Sequence, residues 1–98
     1  MAMQLKEFFK IVGDENRLKI LALIGKGEKS VGDLVNAMRL EQSLVSHHLG
    51  KMKRAGVLKS RVAGQMRFYS VSNPVILELV EKAGEIAKDI VKPEKKKK

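Results

Sequence analysis

At residues 55–58, "AGVL", the hydrophobic period of this chain changes from that of a helix to that of a strand. That change constrains the fold more than any other feature. Before it, apolar residues recur three and four apart in four separate stripes. These are Leu5, Phe8, Phe9 and Val12; Leu18, Leu21 and Ile24; Val31, Leu34, Val35 and Met38; and Val45, Leu49 and Met52. After it come "VLKSRV" and "MRFYSV", two β-branched and aromatic runs separated by "AGQ", which reads as a hairpin with Gly64 free to take positive φ. Apolar residues fall on both faces of the second run, so the pattern leaves the inward residue open between Phe68 and Tyr69. The helical period then returns through Ile76, Leu79, Val80, Ala83, Ile86, Ala87 and Ile90.

Helix ends are marked by residues with a mechanism. Gly13 ends the first stripe, and Asp14 can cap the second, which "GKG" at residues 25–27 closes. Ser30 with Asp33 three residues on has capping-box spacing for the third helix. "RLE" separates it from a fourth helix over residues 42–55, where Gly56 supplies a left-handed stop, and Asn73-Pro74 opens the last. The sum is mainly α with a small β-hairpin: five helices and a two-stranded wing, the order of a winged helix-turn-helix. Residues 1–92 read as one domain, and residues 93–98 as a basic, disordered tail.

Charge places the function. The net charge is +9, but residues 41–70 carry six Lys/Arg against one acid, whereas residues 1–40 carry seven against five. A local excess of one sign is the footprint of a nucleic-acid surface; a merely solubilising face mixes both. The block contains the only two histidines, in "SLVSHHLGKMKRAGVL". On a wheel of about 100° per residue, Val45, Leu49 and Met52 face inward. Ser43, Ser46, His47, Gly50 and Arg54 face outward, with Lys51 and Lys53 on the flanks. His47 and His48 point about 100° apart, so they do not chelate one ion together. His48 lies beside the apolar stripe and reads as a structural histidine bonded to a neighbouring element.

Gln42, Ser43, Ser46 and His47 therefore read as the groove-entering turn that meets base edges. Lys51, Lys53 and Arg54 follow along the phosphates, Arg61 and Arg67 of the wing are expected to hold phosphates too, and Gln65 at the wing tip is expected to touch DNA. No metal is expected: there is no cysteine and no third histidine, and Glu78, Glu81, Glu85 and Asp89 read as a solvated helix face. No carboxylate pair, nucleophile–base set or phosphate-cradling glycine loop has a usable spacing, so an enzyme is not expected. The longest pure apolar run, residues 20–24, is far short of a membrane span, and cysteine-free composition fits a cytoplasmic protein. Two rival readings use the same scaffold: a non-specific DNA-coating, architectural protein, and a winged-helix protein-interaction module.

Residues 12–71 resemble the ArsR/SmtB family of repressors. The resemblance is carried by Gly13-Asp14-x-x-Arg17-Leu18-x-Ile20-Leu21, Ser30-Val31-x-Asp33-Leu34, Gln42-Ser43-x-Val45-Ser46-x-His48-Leu49 and Ala55-Gly56-Val57-Leu58, in that order. It implies a homodimer built from the first and last helices, operator binding to double-stranded DNA, and repression relieved by an inducer. On that implication Leu5, Phe8, Phe9, Val12, Ile76, Leu79, Val80, Ala83, Ile86, Ala87 and Ile90 form the dimer interface, and Phe8, Phe9, Leu79 and Ile86 exceed what one small core needs. Metal-sensing members carry two cysteines in the third helix; Ser30 and Gly32 stand at those positions here. Residues 74–92 also lack the histidines of the zinc-type site. The resemblance is to a variant with no cofactor and no identified inducer.

Overall fold

A computed structural model describes residues 2–91 and residue 93. The tail expected from residue 93 onward lies, Pro93 apart, outside the described residues. Five helices form: α1 (Leu5–Val12), α2 (Glu15–Ile24), α3 (Val31–Met38), α4 (Gln42–Arg54) and α5 (Pro74–Asp89). Their ends follow from the sequence chemistry. Asp14 Oδ2 accepts from the backbone N–H of Asn16 (2.9 Å) and Arg17 (3.2 Å), satisfying two orphan donors of α2. Ser30 Oγ accepts from Asp33 N–H at 3.1 Å while Asp33 returns an acceptor to Ser30 N–H at 3.0 Å, closing the capping box of α3. Asn73 Oδ1 caps α5 through Val75 N–H, 2.9 Å. The turn between α3 and α4 is made by Arg39, whose φ of 57° makes it the one non-glycine residue in the left-handed region among those described.

The wing is β2 (Leu58–Ala63) and β3 (Met66–Val71), paired antiparallel with Leu58 opposite Val71 and Ala63 opposite Met66. The turn is two residues, Gly64-Gln65, tighter than the three-residue "AGQ" of the sequence pattern, and Gly64 takes φ of 64°. A third strand, β1 (Lys29–Ser30), was not foreseen. It adds to the other edge of β3, giving the order β1-β3-β2. Two residues carry no readable period; the free edge of β3 recruits them. Tyr69 is the inward aromatic at 9% exposure, whereas Phe68 is half-buried beneath the Arg61 guanidinium, 4.9 Å from its ring centre.

The core gathers Ile20, Leu21 and Ile24 of α2, Leu34 of α3, and Val45, Leu49 and Met52 of α4, closed by Val57, Leu58 and Tyr69. The inward side of α4 is thus fully buried, as the wheel predicts, and its position is fixed by packing. Helix α5 is the opposite case: sixteen residues with an apolar stripe and no buried residue. Val12, expected at a dimer interface, is instead a member of the protomer's own core, because α1 lays its last turn over α2 and α4.

Candidate nucleic-acid interface

The solvent side of α4 carries Gln42, Ser43, Ser46, His47, Lys51, Lys53 and Arg54, all exposed. No acid interrupts the helix from Gln42 to Arg54. All three cations sit in its last turn, where they also offset the negative end of the helix dipole. Short polar groups occupy the first turns, so the helix is slim where it would enter a groove and charged where a backbone would cross it. Leu44, 39% exposed, shares that surface. An isolated leucine carries no charge signal in the sequence, yet an exposed apolar group suits a thymine methyl.

Gly50 has a role in this surface. A Cβ placed there would sit 3.2 Å from Arg54 Nη1, so the missing side chain is where the guanidinium lies back along the helix.

The wing is less free than expected. Arg61, expected to hold phosphate, pairs its guanidinium with Glu28: Nε donates to both carboxylate oxygens at 3.0 and 3.2 Å, and Nη2 to Oε1. This pair holds the Glu28 carboxyl below its usual range and raises Arg61 further. The residues lie 33 apart, and no local spacing announces their meeting. Arg67 is exposed and donates to Ser60 Oγ at 3.1 Å, which steadies it along the strand. Gln65 is exposed at the turn. Gln42, Gln65, Met66 and Arg67 share with Ser30, Val31 and Gly32 a depression of about 280 Å³. The start of α4 and the wing turn therefore face the same side of the molecule.

His48 is bonded to a neighbouring element, as the wheel suggested. It is 7% exposed, and its Nδ1 accepts from Arg17 Nε of α2 at 3.0 Å. Burial pushes its pKa below the usual histidine value against the pull of Asp14, with Arg17 and His47 adding smaller pushes downward. Arg17 was visible in the sequence only as part of a motif; its partner was not.

Away from this face, α1 and α5 enclose an apolar groove of about 360 Å³ lined by Phe9, Val12, Gly13, Leu18, Leu79, Val80, Ala83, Gly84 and Ala87. Leu5, Phe9, Leu79, Ala83, Ile86, Ala87 and Ile90 are exposed there or along the same helices, with Phe9 at 49% and Ile86 at 63%. Phe8, Ile76 and Val80 are half-buried against the core, and Val12 forms the groove's floor. Among the described residues no three His, Asp or Glu side chains gather as a metal site, and no helix is long and apolar enough to cross a membrane.

A two-stranded wing, extended by β1 into a three-stranded sheet, beside a helix whose inner face is core and whose outer face is cationic defines a winged helix-turn-helix protein. The profile described as "Bacterial regulatory protein, arsR family" matches residues 14–60. A cadmium resistance transcriptional regulatory protein, CadC, of Listeria innocua is 43% identical over 75 residues, 76% of this chain and 63% of that protein. The chain thus spans just under two thirds of that relative's length. A Mycobacterium tuberculosis HTH-type transcriptional regulator is 38% identical over 81 residues, 82% of this chain and 71% of its own. The solved structure from that organism superposes with a TM-score of 0.78 at 37% identity, covering 85% of this chain and 84% of the other. Reduced HlyU of Vibrio cholerae gives 0.73 at 32% identity, covering 81% and 83%. The chain belongs to the arsR family of transcriptional regulators.

Proposed function

We propose that this chain is a sequence-specific DNA-binding transcriptional regulator that works as a homodimer in the cytoplasm, repressing from an inverted-repeat operator. The observation that carries the reading is the outward face of α4, with seven polar or cationic side chains exposed and no acid among them. Gln42, Ser43, Ser46 and His47 read base edges; Lys51, Lys53, Arg54 and Arg67 hold phosphates. Arg61 orders the wing through Glu28 rather than adding a free charge. A second copy covers the α1/α5 groove, burying Phe9, Leu79 and Ile86. Two-fold symmetry then places the half-sites about one helical turn apart, near 34 Å centre to centre. Membership in a family of transcriptional regulators supports the reading.

Selection from a randomised duplex library, followed by binding titrations at two salt concentrations, tests it. An inverted repeat should emerge, and log affinity should fall with log salt by about 0.9 for each phosphate held. Equal affinity for random duplex would turn the reading into one of architectural coating. A flat salt response would remove the phosphate roles altogether.

A further inference from the structure

His48 stands on the recognition helix, yet it faces away from solvent and touches α2, packed against its inner side. Its Nδ1 accepts from Arg17 Nε at 3.0 Å, so the neutral ring carries its proton on Nε2. The same guanidinium donates from Nη1 to the backbone carbonyl of Ile11 at 3.3 Å, in the last turn of α1. One side chain of α2 therefore joins α1 to α4, and it uses two separate nitrogens to do so. Asp14 Oδ2 lies 4.0 Å from the same Nδ1, and the His47 ring stands edge-on with its centre 5.9 Å away. Asp14, Arg17 and His47 are thus the charged or titratable groups around the imidazole. An unprotonated Nδ1 accepts and cannot donate, and a protonated one donates and cannot accept. Arg17 and Asp14 are accordingly alternative partners, selected by one proton.

We propose that Arg17 is a positioning residue for DNA recognition: it locks α4 to α1 through His48, and the lock holds only while the imidazole is neutral. This rests on the reading of α4 as the DNA-contacting helix and of α1 as part of the dimer. In such a dimer the spacing of the two recognition helices depends on how α4 is fixed relative to α1. Protonation turns Nδ1 from Arg17 toward the Asp14 carboxylate, which already serves the first N–H groups of α2. The loss falls on base-edge readout, which needs exact register, more than on phosphate contacts, which adjust. The depressed basicity of the buried ring keeps the lock closed near neutral pH.

The test combines variants with a pH series at constant ionic strength. His48→Asn puts an amide oxygen close to the place of Nδ1, accepting without titrating; Arg17→Lys keeps the charge but cannot donate from two nitrogens at once. The wild-type protein should lose about tenfold or more in affinity for its selected duplex between pH 7.5 and 5.5, equivalent to about one shifted pKa unit, while random duplex binding does not weaken. His48→Asn should bind like wild type at pH 7.5 and stay flat. Arg17→Lys should be about tenfold weaker already at pH 7.5 with unchanged helical content. His47→Gln, on the solvent side of α4, should leave the acid loss in place. Wild-type pH dependence in His48→Asn, or wild-type affinity in Arg17→Lys, would overturn the proposal.

Nuclear magnetic resonance of the DNA-free protein separates this from the DNA reading. As His48 titrates, the amide signals of Val12 and Arg17 should move with its ring nitrogens, and Arg17→Lys should uncouple them. If no duplex is ever selected, the DNA reading fails while that coupling still decides the lock; absence of coupling refutes it.

Discussion

Helices α4 and α5 carry apolar stripes of comparable quality, yet one is fully covered and the other is bare. On α4, Val45, Leu49 and Met52 have no exposed surface; on α5 no residue is buried, and Ile86 is 63% exposed. Propensity does not separate them, since each holds one interior glycine, Gly50 in α4 and Gly84 in α5. What separates them is who supplies the opposing surface. Helix α4 is enclosed by α2, α3 and the wing, so its outer face is presented rigidly. Helix α5 meets its own fold only along one edge, leaving an apolar groove against α1. A chain of this size buries only a modest fraction of its surface, and the bare stripe is the surface that the proposed dimer would cover.

The contrast is tested first at its strongest point. Leu49→Ala should destabilise the fold by about 2–5 kcal/mol, because the site is enclosed and cannot collapse fully around the lost atoms. Chemical unfolding would show the midpoint falling at any protein concentration. Ile86→Asp should behave differently: the protomer keeps its helical content, while the dimer dissociation constant rises by about 30-fold or more, the consequence of losing about 2 kcal/mol at a hot spot. Sedimentation over a concentration series reads it. If Ile86→Asp lowers stability of the monomer as much as Leu49→Ala does, α5 is not waiting for a partner.

That division explains what was legible in the sequence. Helices and their caps depend on residues three or four apart, so Asp14, Ser30 with Asp33, and Asn73 were readable directly. The outward face of α4 was readable for the same reason, because a wheel fixes direction once the buried stripe is known. Strand β1 was not: Lys29 and Ser30 acquire their state from an edge of β3 nearly forty residues away. Nor was the pairing of Arg61 with Glu28, residues 33 apart in the chain, which braces the wing. Val12 shows the same limit at an interface. Its spacing matched the α1 stripe, but the tilt of α1 over α2 and α4 decided that it belongs inside the protomer.

On the DNA side the comparison becomes finer, between the two ends of α4. Gln42→Ala should cost about 1–3 kcal/mol of discrimination at one base-pair position and leave the others unchanged. Lys51→Ala should weaken binding to every sequence alike and reduce the salt slope by about one. Binding each variant to single-substituted operators at two salt concentrations distinguishes these outcomes. A position-specific loss from Lys51→Ala would reverse the assignment of the helix's two ends.

Gly50→Ala is the mildest change and the most discriminating about why α4 has the composition it has. Glycine inside a helix costs about 1 kcal/mol relative to alanine, so the replacement should stabilise the domain by somewhat less than that. The opposing term is Arg54 Nη1, 3.2 Å from the new Cβ. That atom is the far end of a flexible, exposed side chain, and it can swing away at little cost. The melting temperature should therefore rise by about 2–5 °C, while affinity for duplex changes because the guanidinium has lost its seat along the helix. If instead the variant melts lower, Arg54 is held firmly against Gly50, and the glycine is there to shape the cationic end of the recognition surface at the expense of helix stability.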